Sequence, residues 1–495
     1  MKTRPKQKYI LVLTISILFS TISCSKFLDV QPIDRVTQKD LLKDRKGFYT
    51  LLNGIYSDLN EKSLYGQNLT MGMIDVMAQY YHAEIQNHPF LPFMSYSYSD
   101  AAYLNKAEEI WTKGYDLIAN INLLIEQSDV MREELTETHY HIIKGEGLAL
   151  RAFLHFDLLR LYGSKISSDT NEDAIVYNND TDREAKVFST NKETIDQVIK
   201  DLNDARQLLE SYDPVLTLGP LNFEGEQNNY LNYRQYRLNY FAVCALLARI
   251  HLWNEEVDLA KQYALEVIEK GQQSEDPFFP FVTSEEVNNQ VGYPDLIFSK
   301  EVLFGLYNTS RTNLFNELFN SSLTSTQRLT FSGTYSSGRV PLLYPNQNDY
   351  RSSHWATQVV DNENRLYFNK FSEVSDSQGL SNGYRYMIPL IRISEMYLIL
   401  AETASSVSEA VNYLNILNLN RGMPDIDVDS FEEIREFITL EYYKEFIGEG
   451  QLFFYFKRLQ FPNITSAIRP EIDNISMDPK NYIFPLPISE TSQRN

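Results

Sequence analysis

The chain has 495 residues, with 45 Lys and Arg against 66 Asp and Glu, for a formal charge of −21. That balance excludes nucleic acid as a natural partner, because phosphate binding needs a basic face whose Lys and Arg displace counterions. Apolar and charged fractions of 43% and 22% are ordinary for a folded chain with a large core, and the unusual feature is 33 Tyr and 28 Phe against 3 Trp.

Lys2, Arg4, Lys6 and Lys8 open the chain without an acid, and the apolar run from Tyr9 to Ile22 follows. That run falls short of the roughly 20 residues a spanning helix needs and reads as an export signal. The next residues, Thr21-Ile22-Ser23-Cys24, resemble the lipobox of bacterial lipoproteins, with Thr21 where that pattern usually has Leu. Residues 1–23 are therefore expected to be a cleaved signal peptide and Cys24 a lipidated amino terminus, since each buried CH₂ of an acyl chain contributes about 0.8 kcal/mol of membrane binding.

From Lys39 to Leu59 apolar residues at Leu41, Phe48, Leu51, Leu52, Ile55, Tyr56 and Leu59 form one helical stripe. Further helices are expected near 105–127, 134–162, 191–211, 234–253, 256–270, 390–404, 407–420 and 431–447. Strands are expected at 301–307, 366–371 and 482–486. Gly163 stands where a left-handed helix cap is wanted. Aperiodic tracts remain at 62–102, 163–189, 212–232 and 271–388, and connections of that length are usually functional or are badly assigned elements. Cys244, the only other cysteine, lies in the apolar run from Phe241 and reads as a small buried hydrophobe.

Two helix pairs have tetratricopeptide-like spacing. Ala248 is followed by Ala260, small residues that let a hairpin close. The second pair runs from Tyr397 to Ala401, turns at Ser405-Ser406 and resumes at Glu409-Ala410. The ordered segments Phe27-Leu-Asp-Val-Gln-Pro32, Lys144 to Gly163 with Arg151, Asp157 and Arg160, Ala245 to Ile250, Ile391 to Leu398, Ala401-Glu402 and Phe484-Pro-Leu-Pro487, behind a lipobox, resemble the SusD/RagB family of outer-membrane nutrient-binding lipoproteins of Bacteroidetes. The stretch Glu449 to Arg458 departs from it, with Leu452 and Tyr455 where many members carry Arg and Asp, and the tail after Pro487 is short. This marks a divergent subfamily.

The resemblance implies a mostly α fold: a helical body of tetratricopeptide-like pairs with long irregular loops and minor β-strands. It divides the chain into a signal peptide at 1–23, an N-terminal SusD-like region at 24–230 and a C-terminal RagB/SusD region at 231–495, the two regions joined in one body. It also implies a binding protein without catalysis or cofactor. Anchored in the outer membrane, such a protein faces the exterior and passes an oligosaccharide, or in some relatives a peptide, to a SusC-like TonB-dependent transporter. A lipid-anchored glycoside hydrolase and a helical scaffold that binds protein alone are the rival classes.

Aromatics outside helical spacing are the expected ligand residues. In the tract 65–103 these are Tyr80, Tyr81, Tyr96 and Tyr98, the last two sharing a face if the segment is extended. In a second tract they are Tyr344, Tyr350 and Trp355. Such rings can stack on sugar C–H groups while Asn, Gln and Asp bond the hydroxyls. Arg151 and the Asp157/Arg160 pair read as helix-surface architecture. Asp425, Asp427 and Asp429 imitate a calcium loop, but Ser430 replaces its glycine and Ser430 to Glu433 reads as a helix cap. His139 and His141, two apart on a helix, are poorly spaced for a shared metal. No metalloprotease, P-loop or nucleophile-elbow motif occurs.

Overall fold

Side chains that cap, and apolar residues spaced three and four apart, decide where the long helices start and which way they face. The computed structural model describes residues 41–83, 85–165, 172–182, 184–220, 230–272, 276–289, 294–373 and 383–494. The expected signal segment and Cys24 lie outside the described residues. Helix α1 (Arg45–Asp58) begins where the Asp44 carboxylate accepts from Gly47 N, and it buries Phe48, Leu52, Ile55 and Tyr56. Asp100 caps α2 (Ala101–Val130) and Thr136 caps α3 (Glu137–Tyr162). Thr190 and Glu193 form a reciprocal capping box at the start of α4 (Asn191–Glu210).

Helix α3 is the axis of the N-terminal half. From Gly145 to Tyr162 every residue is buried, because α2 packs on one side and α4 on the other. The paired helices follow: α5 (Tyr240–Trp253) with α6 (Val257–Gln272), then α7 (Ile393–Glu402) with α8 (Val407–Leu419), and α6 also packs on α7. Ala248 and Ala260 are both fully buried, as the close approach within the first pair requires. Helix α9 (Phe431–Glu445) starts at Ser430, whose hydroxyl accepts from Glu433 N, so this serine does begin a helix. Helix α10 (Leu452–Leu459) was not expected from the sequence and covers the stretch that departs from the family pattern.

Three local expectations are corrected. Gly163 is extended, at φ −81°, ψ 158°, rather than left-handed. Glycine is needed there for space, since a Cβ would lie 2.6 Å from Asn191 Oδ1 and 2.8 Å from Leu159 Cδ1. The end of α3 is capped instead by the buried Lys457 amine, which donates to the carbonyls of Arg160 (2.6 Å), Leu161 (3.3 Å) and Gly163 (2.7 Å). The segment 482–486 forms no strand: Tyr482 ends a 3-10 turn and Phe484 N donates to Leu161 O at 3.0 Å. The helix expected from 390 starts at Ile393, and the residues before it are a strand. Pro389 lies in that strand, where its missing N–H interrupts no helix.

Strands β1 (Val302–Tyr307) and β4 (Met387–Arg392) pair antiparallel, with Tyr307 opposite Met387. Strands β2 (Trp355–Val360) and β3 (Glu363–Phe368) form a hairpin whose turn residues, Asp361 and Asn362, both have positive φ. The expected strands at 301–307 and 366–371 correspond to β1 and β3.

Where β1, β4, α8 and α9 meet, the interior is ionic. Arg351, Arg392, Arg421, Lys370 and Lys444 interlock with Glu301, Asp349, Glu441, Glu445 and Glu449, every side chain at most 4% exposed. Five charges of each sign balance, which is the condition under which buried ions are tolerated.

Candidate functional site

The two aromatic tracts singled out in the sequence do meet, but inside the molecule. Tyr80 and Tyr81 are fully buried, and the Tyr80 hydroxyl donates to the carbonyls of Tyr442 and Tyr443, both at 3.1 Å. Tyr81 and Trp355 share Phe368 as a neighbour, at 6.1 and 5.1 Å between ring centres, and Trp355 is stacked on Phe331 at 3.7 Å. Tyr344 and Tyr350 are buried as well, and the Tyr350 hydroxyl donates to the carbonyls of Val282 and Asn420. These five rings therefore present no face to solvent. Tyr96 and Tyr98 are half-buried in a turn rather than an extended segment, Tyr96 at φ +53°. Their hydroxyls donate to Met77 O (2.6 Å) and to Asn481 O.

The charged residues of the family-like segment are also internal. Arg151 forks onto Asp201 at 2.6 and 2.8 Å. Asp157 and Arg160 pair as their spacing predicts, but buried rather than on a helix surface, and the Tyr65 hydroxyl donates to Asp157 at 2.7 Å. His139 meets the Tyr49 hydroxyl and Arg45, while His141 stacks on Tyr212 at 4.0 Å. Among the described residues no group of three His, Cys, Asp or Glu could hold a metal ion.

Exposed aromatics gather elsewhere. Tyr307, the last residue of β1, is 49% exposed, and its ring lies 5.4 Å from Tyr236 at 90° and 5.2 Å from Tyr386 at 64°. Tyr386 closes the 3-10 turn Gly383–Tyr386 that enters β4, so the register of β1 against β4 sets it beside Tyr307. Tyr233, 44% exposed, precedes the 3-10 turn Arg234–Tyr236 at φ +55°. A bulky residue in that region of backbone space carries strain, a feature that concentrates at functional sites. The Asn60 side chain donates to Tyr307 O at 3.3 Å and ties the patch to the end of α1.

Two ions lie beneath or beside these rings. Arg311, 1% exposed, donates to the carbonyls of Tyr384 (2.8 Å), Met387 (3.2 Å) and Ser372 (3.4 Å), and so fixes the turn that carries Tyr386. Burial lowers its guanidinium to about 10, which leaves it charged at neutral pH. Asp295 accepts from Ile297 N, Ser299 N and the Ser299 hydroxyl, and burial raises its carboxyl to about 6. Arg385 packs over the Tyr386 ring at 5.1 Å.

The arrangement offers ring faces, phenolic hydroxyls and guanidinium donors, which is binding chemistry. A separate groove of about 390 Å³ along α6 is lined mainly by Asp258, Lys261, Glu266, Glu269 and Lys270. It has no aromatic wall and lies on the opposite class of surface, charged and open. The sequence signal for the tyrosine patch was weak, because its members come from three segments more than 70 residues apart and meet only through the β1/β4 register and the packing of the turn Arg234–Tyr236 on β1.

Comparison with known proteins agrees with this fold. A family model described as starch-binding and associating with the outer membrane, SusD-like, matches residues 26–218, and the SusD family model SusD_RagB matches residues 307–493. SusD-like protein P38 of Formosa agariphila is 23% identical over 388 residues, 69% of this chain and 70% of that protein. A SusD superfamily protein from Bacteroides thetaiotaomicron superposes with a TM-score of 0.71 at 22% identity, covering 91% of this chain and 98% of the other. A SusD-like carbohydrate-binding protein from Bacteroides vulgatus gives 0.68 at 19% identity, covering 91% and 96%. The chain belongs to the SusD/RagB family.

Proposed function

We propose that this protein is a lipid-anchored receptor that captures an oligosaccharide at the surface formed by Tyr233, Tyr236, Tyr307 and Tyr386 and delivers it to a SusC-like TonB-dependent transporter of the outer membrane. The observation that carries the reading is the exposed ring of Tyr307, flanked edge-on by Tyr236 and Tyr386. Large exposed aromatics are costly in water unless something covers them, and sugar C–H faces suit such rings. The carbohydrate-binding neighbour of like fold supports the same class of ligand. The location rests on the expected lipidation of Cys24, and no helix among the described residues is long and apolar enough to cross a membrane.

Calorimetry against a panel of glycans and peptides tests this. Tyr307→Ala with Tyr386→Ala is expected to weaken the glycan that binds by about tenfold or more, the value of one buried aromatic face. Unchanged affinity refutes the site. New reducing ends in the same mixture move the protein to the glycoside hydrolase class, and binding of peptides alone moves it to the peptide class. Copurification of a large barrel from detergent extracts, and loss of fatty-acid labelling in Cys24→Ala, test the transporter and the anchor.

A further inference from the structure

Resting on the reading of the tyrosine surface as the ligand site, we infer that its ligand is an oligosaccharide bearing negative charge, a uronate carboxylate or a sulfate ester, and that the Arg385 guanidinium pairs with it. Arg385 has the longest nearest-carboxylate distance of the ion-paired arginines among the described residues. Arg458 forks onto Glu402 at 2.7 and 2.7 Å, and Arg249 onto Glu395 at 2.7 and 2.6 Å. Arg385 instead has one carboxylate, Glu373, at 3.7 Å, with its own side chain 28% and that of Glu373 59% exposed. At that distance and exposure an ion pair contributes about 0–1 kcal/mol.

The guanidinium donates no hydrogen bond among the described residues; its Nε is buried without a partner, so the part left to meet a ligand is the pair of Nη groups. It is nevertheless held in place by the face of Tyr386. A planar fork, oriented by a ring and largely unspent, matches the paired oxygens of a carboxylate or sulfate. A neutral sugar needs only ring faces and hydroxyl partners, and would leave this fork idle.

The charge below the rings has the same sign. Arg311 gives its hydrogen bonds to carbonyls rather than to an acid. The buried acid of the neighbourhood, Asp295, directs its oxygens to Ile297 and Ser299. One guanidinium, Arg385, thus stands at the tyrosine surface without a closely bonded carboxylate, while that of Arg311 lies buried beneath it, in a chain whose overall charge of −21 repels anions at long range. An anionic ligand would be attracted to this patch against the field of the rest of the molecule.

The test is calorimetric, with two matched pairs of probes: tetragalacturonate against its methyl ester, and a sulfated carrageenan tetrasaccharide against its desulfated form. The charged member of one pair is expected to bind about tenfold or more tightly, the worth of one charge-assisted fork. Arg385→Gln is expected to erase that preference and keep the residual affinity, and Arg385→Lys to restore part of it. The pair that shows the preference separates carboxylate from sulfate. Equal binding within both pairs, a preference that survives Arg385→Gln, or failure of all four probes at millimolar concentration overturns the inference. Tyr307→Ala separates the two levels: if it abolishes binding of both members of a pair that shows no charge preference, the site stands and only its anionic ligand falls. If it changes nothing for a probe that binds, the site itself is misplaced and this inference falls with it.

Discussion

Replacing Glu445 by Gln tests whether the ionic interior holds the fold by charge or merely by shape. Glu445 Oε1 accepts from Arg351 Nη1 (2.7 Å) and Arg421 Nε (2.6 Å), and Oε2 accepts from Arg421 Nη2 (3.1 Å) and Arg392 Nη1 (2.9 Å). Its backbone carbonyl also receives Arg392 Nη2. Gln keeps the outline but turns one oxygen into an NH₂ group that faces guanidinium donors, so two of the four side-chain bonds are lost and two donors oppose each other. The balance of five cations and five carboxylates becomes a net buried positive charge. Removing one partner of a buried pair costs about 3–5 kcal/mol, a large part of a total stability of about 5–15 kcal/mol. Guanidinium chloride unfolding reads this as a lower midpoint at unchanged slope. Adding Arg421→Met restores neutrality, so the double variant is expected to recover about 0.5–3 kcal/mol relative to the sum of the single changes. A Glu445→Gln protein within about 1 kcal/mol of wild type, or strict additivity with Arg421→Met, refutes the reasoning. The pH dependence has a definite sign. Burial alone would raise the Glu445 carboxyl, but Arg421, Arg392 and Arg351 outweigh it and hold it well below the ordinary value of 4.5. A depressed folded-state value means this stabilisation is complete above about 4.5 and is lost as the pH falls below it. The gap between wild type and Glu445→Gln is therefore widest near neutrality and closes in acid.

Lys457→Met removes the amine that caps α3 and is expected to cost about 1–3 kcal/mol, because buried carbonyls at Arg160 and Gly163 lose their donor while the apolar stem is kept. Thermal melting checks it, and an unchanged melt would show that the cap contributes nothing. Gly450→Ala is expected to destabilise by about 1–3 kcal/mol, since Gly450 sits at φ +72° and an added Cβ would lie 2.2 Å from Leu69 O. The contrasting Gly54→Ala, on the exposed side of α1 with nothing within 4 Å, is expected to stabilise by about 0.5–1 kcal/mol in the same assay. Cys244 is fully buried and burial pushes its thiol up to about 12. It is therefore expected to resist iodoacetamide in the native protein with Cys24 replaced, and to react once the chain is unfolded.

What was legible in the sequence was what neighbours in the chain decide. The periodic apolar positions and the small residues Ala248 and Ala260 located the pairs α5/α6 and α7/α8, and Ser430 with Glu433 located the start of α9, because capping and i to i+4 contacts are local. The aromatics were harder, since aperiodic spacing does not mean exposure. An irregular buried chain leaves carbonyls without helical or strand partners, and a tyrosine brings both a ring to fill space and a hydroxyl to donate. Tyr96, Tyr350 and Tyr482 do this for Met77, Val282 and Phe461, while Tyr80 and Tyr162 donate to carbonyls within helices, those of Tyr442 in α9 and Ala107 in α2. Part of the tyrosine excess that suggested a wet gripping surface is thus buried, its hydroxyls donating to internal carbonyls. Against that background Tyr307 stands out: its ring is half exposed and its hydroxyl makes no such bond among the described residues. Its neighbour Tyr386 is set by the register of β1 on β4, and Tyr236 by the packing of the turn Arg234–Tyr236 on β1, neither of which one sequence displays. The residue most worth testing for a ligand is therefore Tyr307, whose hydroxyl the fold does not itself use among the described residues.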